Sequence, residues 1–380
     1  MKHYIKLKEI YFTCCLFTII SCKRDNGLLE VDNAIKDINY SKIEMKLIRE
    51  KVQFPMIAYG RESSMGANDR PYIYLTDNGF AHPSILHIPE GFSGYKFWAG
   101  ITPHFGIIGQ QKDHTAFENP HIFASNDGIT WKEISNGPID LPAAGPFISY
   151  WSDNNLVYDN DKLYVYYRSS GFPINYFGDK LYHLRASVLK ESSDGINWSQ
   201  RKFLYGTKNT VGIDDNSMIL SPSVVKDNGI WFYYDVIYST DKNPYPPVGN
   251  QTNAFVVRRL GDTPYHFEAY SQDKICEFIN RPWGKENDPW HIEVIKANNK
   301  FYMLICVGKI GKSHGDSLWL AHSDDGKTFT VIEQSLFNSN TYKSGFYMSE
   351  NNDDDIKFRI YRSEKNTGYI HLYELKLSKK

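Results

Sequence analysis

The sequence carries almost no net charge: its 380 residues hold 43 basic against 44 acidic side chains, so no one-signed field exists to draw in nucleic acid. It has only five cysteines, and none stand at the spacing of a zinc site. Gly-rich phosphate loops and Ser-His-Asp signatures are absent as well, which argues against nucleotide chemistry. The apolar run Ile10 to Ile20 is too short to remain in a bilayer as a spanning helix, which takes about 20 residues.

That run follows Lys2, Lys6 and Lys8 and closes in Ile19-Ile20-Ser21-Cys22, the layout of a processing signal. It resembles a bacterial lipobox, which implies that Cys22 becomes the lipid-modified first residue. The expected division is a signal peptide over 1–21, a lipid anchor and polar tether over 22–51, and a catalytic domain over 52–380. Lys23-Arg24-Asp25 partly matches the surface-export cue of Bacteroidetes-type lipoproteins, so the expected location is the outer membrane, at the cell surface or the periplasmic face. Cys14 and Cys15 leave with the signal. Cys276 and Cys306 remain, and Cys306, inside "FYMLICVG", reads as a small core residue.

What the chain has in excess is aromatic: 15%, with 27 Tyr, 22 Phe and 8 Trp, a composition that favours strands. It also has a repeat. "SNDGITW" at Ser125 to Trp131 returns as "SSDGINW" at Ser192 and "SDDGKTF" at Ser323. Asp-Gly between strand-like runs predicts a hairpin tip, because Gly takes a positive φ and Asp accepts the turn's neighbouring geometry. The starts lie 67 and 131 residues apart, so a degenerate copy is expected near 258, where "VVRRLGDTPYHFEAY" keeps Gly-Asp and the closing aromatic.

Between these tips runs a second series, "HPSILHI" from His82, "SDNNLVYD" from Ser152, "SPSVVKD" from Ser221 and "DPWHIEVI" from Asp288, each followed by a Tyr/Phe-rich strand. A fifth unit from Ser344 has three strands and no closing hairpin. Repeated four-stranded sheets bury both faces by packing radially. The fold class is therefore all-β, a five-bladed β-propeller of four-stranded antiparallel blades, with the last blade closed by an N-terminal strand. "RPYIYLT", Arg70 to Thr76, is the expected closing segment.

In such a ring the inner-strand starts and the loops between second and third strands converge on one face. The starts supply His82, Asp153, Ser221, Asp288 and His291; the loops supply Thr102, His104, His114, Glu118, Asn175, Tyr176, His183, Arg185, Asp241, Tyr245, His314 and Asp316. Glu118, Asp153 and Asp288 are the candidate catalytic carboxylates, since glycoside hydrolysis needs one group to protonate the leaving oxygen and another to activate water or attack the sugar. His82, His291, Arg168, Trp151 and Trp290 are candidate substrate contacts; Trp98 and Trp283 are further stacking faces. Glu293, one alternation beyond His291, reads as deeper and structural. Neither a metal nor another cofactor is expected. The run Asn351 to Asp355 lacks an EF-hand pattern and reads as a solvated turn, so calcium is not indicated.

The ring, the Asp-bearing inner strands and Glu118-Asn119-Pro120-His121 resemble the family 43 glycoside hydrolases over about residues 70 to 377. The resemblance implies a Glu acid in the "ENPH" phrase, an Asp base, and a second Asp that tunes it. Two departures stand out: the phrase opens a third strand, and His82-Pro83 stands where the family has Asp-Pro. The implied function is cleavage of glycosidic bonds in an extracellular polysaccharide or its oligosaccharides by a monomer. Two alternatives stand beside it. One is a lyase on a uronate-containing glycan, using His82 or His291 with Tyr150 or Tyr176. The other is a non-catalytic glycan-binding lipoprotein.

Overall fold

The computed structural model describes residues 40, 42–61, 69–75, 79–103, 118–140, 150–170, 186–206, 218–238, 254–269, 272–309 and 315–380. Among these, the inner strands of the five blades are Phe80–Phe92, Tyr150–Asp159, Met218–Asp227, Asn287–Ala297 and Gly345–Asn351. Each starts the next antiparallel sheet in chain order. The expected five-bladed propeller is the observed fold.

Alternation explains why the strands read as unbroken apolar runs. In Lys162–Ser170, Leu163, Val165 and Tyr167 pack towards blade one, while Tyr164 and Tyr166 pack towards blade three. In Lys300–Lys309, Phe301, Met303, Ile305 and Val307 face blade three, and Tyr302, Leu304 and Cys306 face blade five. A blade is buried on both faces, so both residue sets must be apolar. The hydrophobic core is accordingly divided into five slabs, one per blade interface. Cys276 and Cys306 are both buried thiols.

The repeated phrase is a turn and a wedge. In the first copy Ser125 Oγ accepts the Gly128 amide at 3.0 Å, and Asp127 Oδ1 accepts those of Ile129 and Thr130 at 2.8 and 2.7 Å. Asp194 and Asp325 make the same bonds in theirs. Gly128, Gly195 and Gly326 take φ of +69°, +79° and +69°, and each lies against an aromatic side chain of the preceding blade: the Tyr361 hydroxyl, the Trp98 ring and the Tyr234 hydroxyl. A Cβ at Gly195 would stand 2.3 Å from the Trp98 ring. The phrase thus recurs because the blade interface recurs.

The expected fourth copy departs from this. Ala254–Gly261 forms the third strand of blade three, but that sheet has three strands. Thr263 and His266 close a short turn, and Ile275 bridges back to Val257. The chain then leaves for blade four, where Glu277–Phe278 pairs in parallel with Thr328–Val331 and makes that sheet five-stranded.

Ring closure is by an N-terminal strand, as expected, but a different one. Lys42–Arg49 pairs antiparallel with Ile370–Ser378, running from Lys42↔Ser378 to Arg49↔Leu372. Asp69–Leu75 pairs instead with Met56–Arg61. The sequence KIEMKLIR alternates, so Ile43 and Met45 reach the slab between blades four and five while the lysines stay outside. This strand lies within 22–51, so part of the expected tether belongs to the last blade. Asn351 to Asp355 is an exposed hairpin turn in which Asn352 Oδ1 accepts the amides of Asp354 and Asp355.

Two outcomes follow. A chain starting at Gln53 exposes the edge of Ile370–Ser378 and forfeits roughly 3 kcal/mol or more of apolar burial; its melting temperature should fall and aggregation rise relative to a chain starting at Tyr40. In acid, the Thr130 and Ile129 amides outweigh burial at Asp127, and the Asn197 amide and side chain lead at Asp194, placing both carboxyls at about 2 against an ordinary 3.8. A depressed folded pKa gives stability that is present above 3.8 and lost as pH falls towards the folded value. The Asp127→Asn/Asp194→Asn variant should show a shallower acid loss in urea titrations across that window.

Candidate functional site

The site begins in a backbone irregularity shared by blades one to four. Pairing with the second strand slips between Ala81 and Ser84, Ser152 and Asn155, Leu220 and Ser223, and Pro289 and His291. At the slips in blades one to three, His82, Asp153 and Ser221 hold φ of +51°, +54° and +51°. Non-glycine residues pay roughly 1–3 kcal/mol for that conformation, which persists where the surroundings impose it and clusters at functional sites. The bulge turns the three side chains and His291 inward.

They meet. Asp153 Oδ1 lies 3.0 Å from His82 Nε2 and 3.6 Å from His291 Nδ1, and its Oδ2 pairs with Arg168 Nε of the same blade. The two imidazole centroids are 5.1 Å apart. Ser221 Oγ bonds His291 Nδ1 at 2.5 Å, and Thr102 Oγ1 bonds His82 Nδ1 at 2.7 Å. All of these groups are buried.

The charge state follows from the surroundings. Burial alone would raise the Asp153 pKa, but Arg168, His82 and His291 outweigh it and hold the carboxyl well below its usual range. Burial pushes His291 well below 6.5; His82, Arg168 and Lys343 push the same way, and Asp153 opposes them. The centre therefore presents one carboxylate and, at His291, a neutral imidazole. Thr102 donates its hydroxyl proton to the Ala81 carbonyl at 3.3 Å, so it accepts from His82 Nδ1–H. His82 Nε2 then faces a carboxylate oxygen and requires a proton or a cation between them. His82, Asp153 and His291 each offer a ligand atom, all within 4.8 Å of one another, and two imidazoles with a carboxylate suit a transition-type divalent cation. His291 Nε2 is buried with no hydrogen-bond partner among the described residues, as a donor atom for a metal must be. The sequence alone did not suggest a metal, because its three ligands come from three blades.

Tyr342 is a second residue that sequence reasoning missed. It precedes the fifth inner strand, and its ring lies 5.1 Å from that of His82 and 4.6 Å from that of His291. Burial, then Glu118, then Asp153 push its hydroxyl well above 10.0, so it remains a proton donor. Glu118 is half-buried and stands just before the third strand of blade one, at the end where Ile101 pairs with His121. It therefore shares this face.

Other candidates go elsewhere. Asp288 pairs with Arg281 and accepts the Ala254 amide at 3.2 Å, which makes it a clamp between strands outside the histidine cluster. Trp151 is 0% exposed in the slab between blades one and two, beneath Arg201 at 4.2 Å. Trp98 and Trp283 are likewise core. Trp290 packs into the slab between blades three and four, with its ring 5.8 Å from that of His291. These indoles are spent on packing, not offered as open platforms. His121 bonds Glu133 at 2.6 Å, and Asp316 is exposed, accepting the Asn340 amide. Cys22, His104, His114, Asn175, Tyr176, His183, Arg185, Asp241, Tyr245 and His314 lie outside the described residues.

Removing the central carboxylate takes away the buried charge that Arg168 pairs with. Asp153→Asn should destabilise by about 3–5 kcal/mol, whereas Glu118→Gln at the half-buried rim should cost far less; urea denaturation of the two variants makes the comparison.

No family model matches the chain. Over 160 residues, 38% of this chain, it is 29% identical to an A type blood N-acetyl-α-D-galactosamine deacetylase from Flavonifractor plautii, of which it covers only 19%. The crystal structure of an N-acetylgalactosamine deacetylase from F. plautii, in complex with blood group B trisaccharide, superposes with a TM-score of 0.62 at 17% identity, over 86% of this chain and 96% of that one. A Penicillium chrysogenum α-L-arabinanase aligns at TM-score 0.47 and 12% identity over 86% and 98% of the two chains. A family 117 glycoside hydrolase from Zobellia galactanivorans aligns at 0.47 and 14% over 87% and 92%. At 17% identity the likeness to the F. plautii structure is one of fold.

Proposed function

We propose that the protein is a hydrolase acting on glycans, and that it removes the acetyl group from an N-acetylated sugar. The observation that carries this reading is the convergence of His82, Asp153 and His291 from three blades into one set of donor atoms. A divalent cation held by these three side chains would supply Lewis acidity at the amide carbonyl. The remaining roles fall to the chain. Arg168 keeps Asp153 anionic, Ser221 and Thr102 fix the imidazoles, the protonated Tyr342 hydroxyl can donate to an oxygen gaining negative charge, and Glu118 beside it can move a proton. The partial likeness to a sugar N-deacetylase supports the substrate class. The layout from Lys2 to Cys22 supports a reaction outside the cytoplasm, on a lipid-anchored protein of the outer membrane.

A second reading, hydrolysis of a glycosidic bond with Glu118 as acid and Asp153 as its partner, draws on one observation. Both carboxylates raise the Tyr342 pKa, so both act at one point. It is the weaker reading because Asp153 already answers Arg168 and two imidazoles.

The test is incubation of the purified protein with glycans ending in N-acetylgalactosamine, following acetate and new reducing ends together. Acetate release that stops with a chelator, returns with Mn²⁺ or Zn²⁺, and falls at least about 10²-fold in His291→Gln is the expected result. New reducing ends without acetate, indifferent to chelator and lost in Glu118→Gln, would establish the glycosidase instead.

A further inference from the structure

Below the cluster lies a buried ion pair whose contacts follow a pattern. Lys343 is 0% and Glu293 2% exposed, with Nζ and Oε2 2.9 Å apart. Glu293 stands two residues beyond His291 on the same strand. Its Oε1 accepts from Ser84 Oγ at 2.6 Å and Asn155 Nδ2 at 3.1 Å, and these stand two residues beyond His82 and Asp153. One carboxylate thus touches the strands of His82, Asp153 and His291 at the same step of their alternation.

Lys343 completes the arrangement. Its ammonium donates to the Asn154 carbonyl at 2.6 Å, next to the left-handed Asp153, and Asn154 Nδ2 donates to the carbonyl of the left-handed His82 at 3.0 Å. Asn154 fits there because Gly100 lacks a side chain; a Cβ would stand 1.9 Å from Asn154 Oδ1. Both strained peptides are therefore tied to one ammonium.

We infer that Glu293 and Lys343 are positioning residues, whose contacts with Ser84, Asn154 and Asn155 set the separation of His82, Asp153 and His291 and so the affinity of that centre for a divalent cation. This rests on the cation reading above only for its last step. Groups that orient metal ligands from behind typically change affinity 10- to 100-fold when removed.

The test replaces the pair as a unit, Glu293→Gln/Lys343→Met, so that no lone charge stays buried. The milder Ser84→Ala serves if that variant folds poorly. The control is Asp159→Asn/Lys226→Met, which removes a cross-blade ion pair of 2.6 Å at the far ends of the inner strands. Two quantities are read on the whole protein: Mn²⁺ affinity by calorimetry, and the imidazole nitrogen resonances of His82 and His291 without metal. The expected result is roughly 10- to 100-fold weaker Mn²⁺ binding and shifted imidazole resonances in the pair variant, a smaller change of the same sense in Ser84→Ala, and neither in the control. Unshifted resonances, or shifts equal to the control's, overturn the inference. A parent protein that binds no Mn²⁺ but whose imidazole signals move in the variant would remove the cation reading and leave the positioning role standing.

Discussion

The propeller is organised around one buried ion pair. Taking a carboxylate and an ammonium out of water costs several kcal/mol for each ion, and an apolar plug of equal volume would hold five blades together at least as well. Glu293 and Lys343 occupy the place nonetheless, and Glu293 carries the mark of it: burial raises its pKa against the opposing pull of Lys343, Ser84 and Asn155. What the pair provides that a plug could not is directed contact with blades one, two, four and five through hydrogen bonds of fixed length. The apolar slabs set how firmly neighbouring blades adhere; the polar centre sets how far apart their inner strands stand.

The functional face inherits that spacing. His82, Asp153 and Ser221 are all left-handed at a slipped pairing, and each leads into a residue bonded to the next inner strand: Ser84 to the Leu156 amide, Asn155 to that of Val224, Ser223 to that of Val294. One blade's polar side chain caps the next blade's backbone. Strain above and cross-bonds below are two views of the same displacement, because a bulge that turns one side chain into the channel also offsets the strand behind it.

Architecture was legible because it is periodic. Four strand-start phrases recur 70, 69 and 67 residues apart and three Asp-Gly phrases 67 and 131 apart, one period and about two, and a repeated interface demands repeated residues. Closure was misplaced because "RPYIYLT" and "KIEMKLIR" are both strand-like, and strand propensity cannot say which sheet edge a strand meets. The site was half legible. Inner-strand starts pointed to His82, Asp153 and His291, but also to Asp288, whose slip falls after Pro289 and whose charge is taken by Arg281. Nothing in the local sequence separates the two aspartates; each meets an arginine, and only the third dimension adds two histidines to Asp153. Tyr342 was illegible because "TYKSG" has no counterpart in the other blades, and the tryptophans were over-read because core packing and sugar stacking call for the same ring.

The pairing of residue 42 with residue 378 also bears on how the molecule comes into being. No early subset of the chain is a closed object: until almost the last strand is made, the first blade lacks the fifth blade on its open face and both rims of the sheet array stand open. Contacts so distant in sequence form slowly, and open rims invite pairing with other chains. The strand that completes the ring therefore acts as a check on completeness, since a chain cut short within its last blade leaves Lys42–Arg49 without its partner.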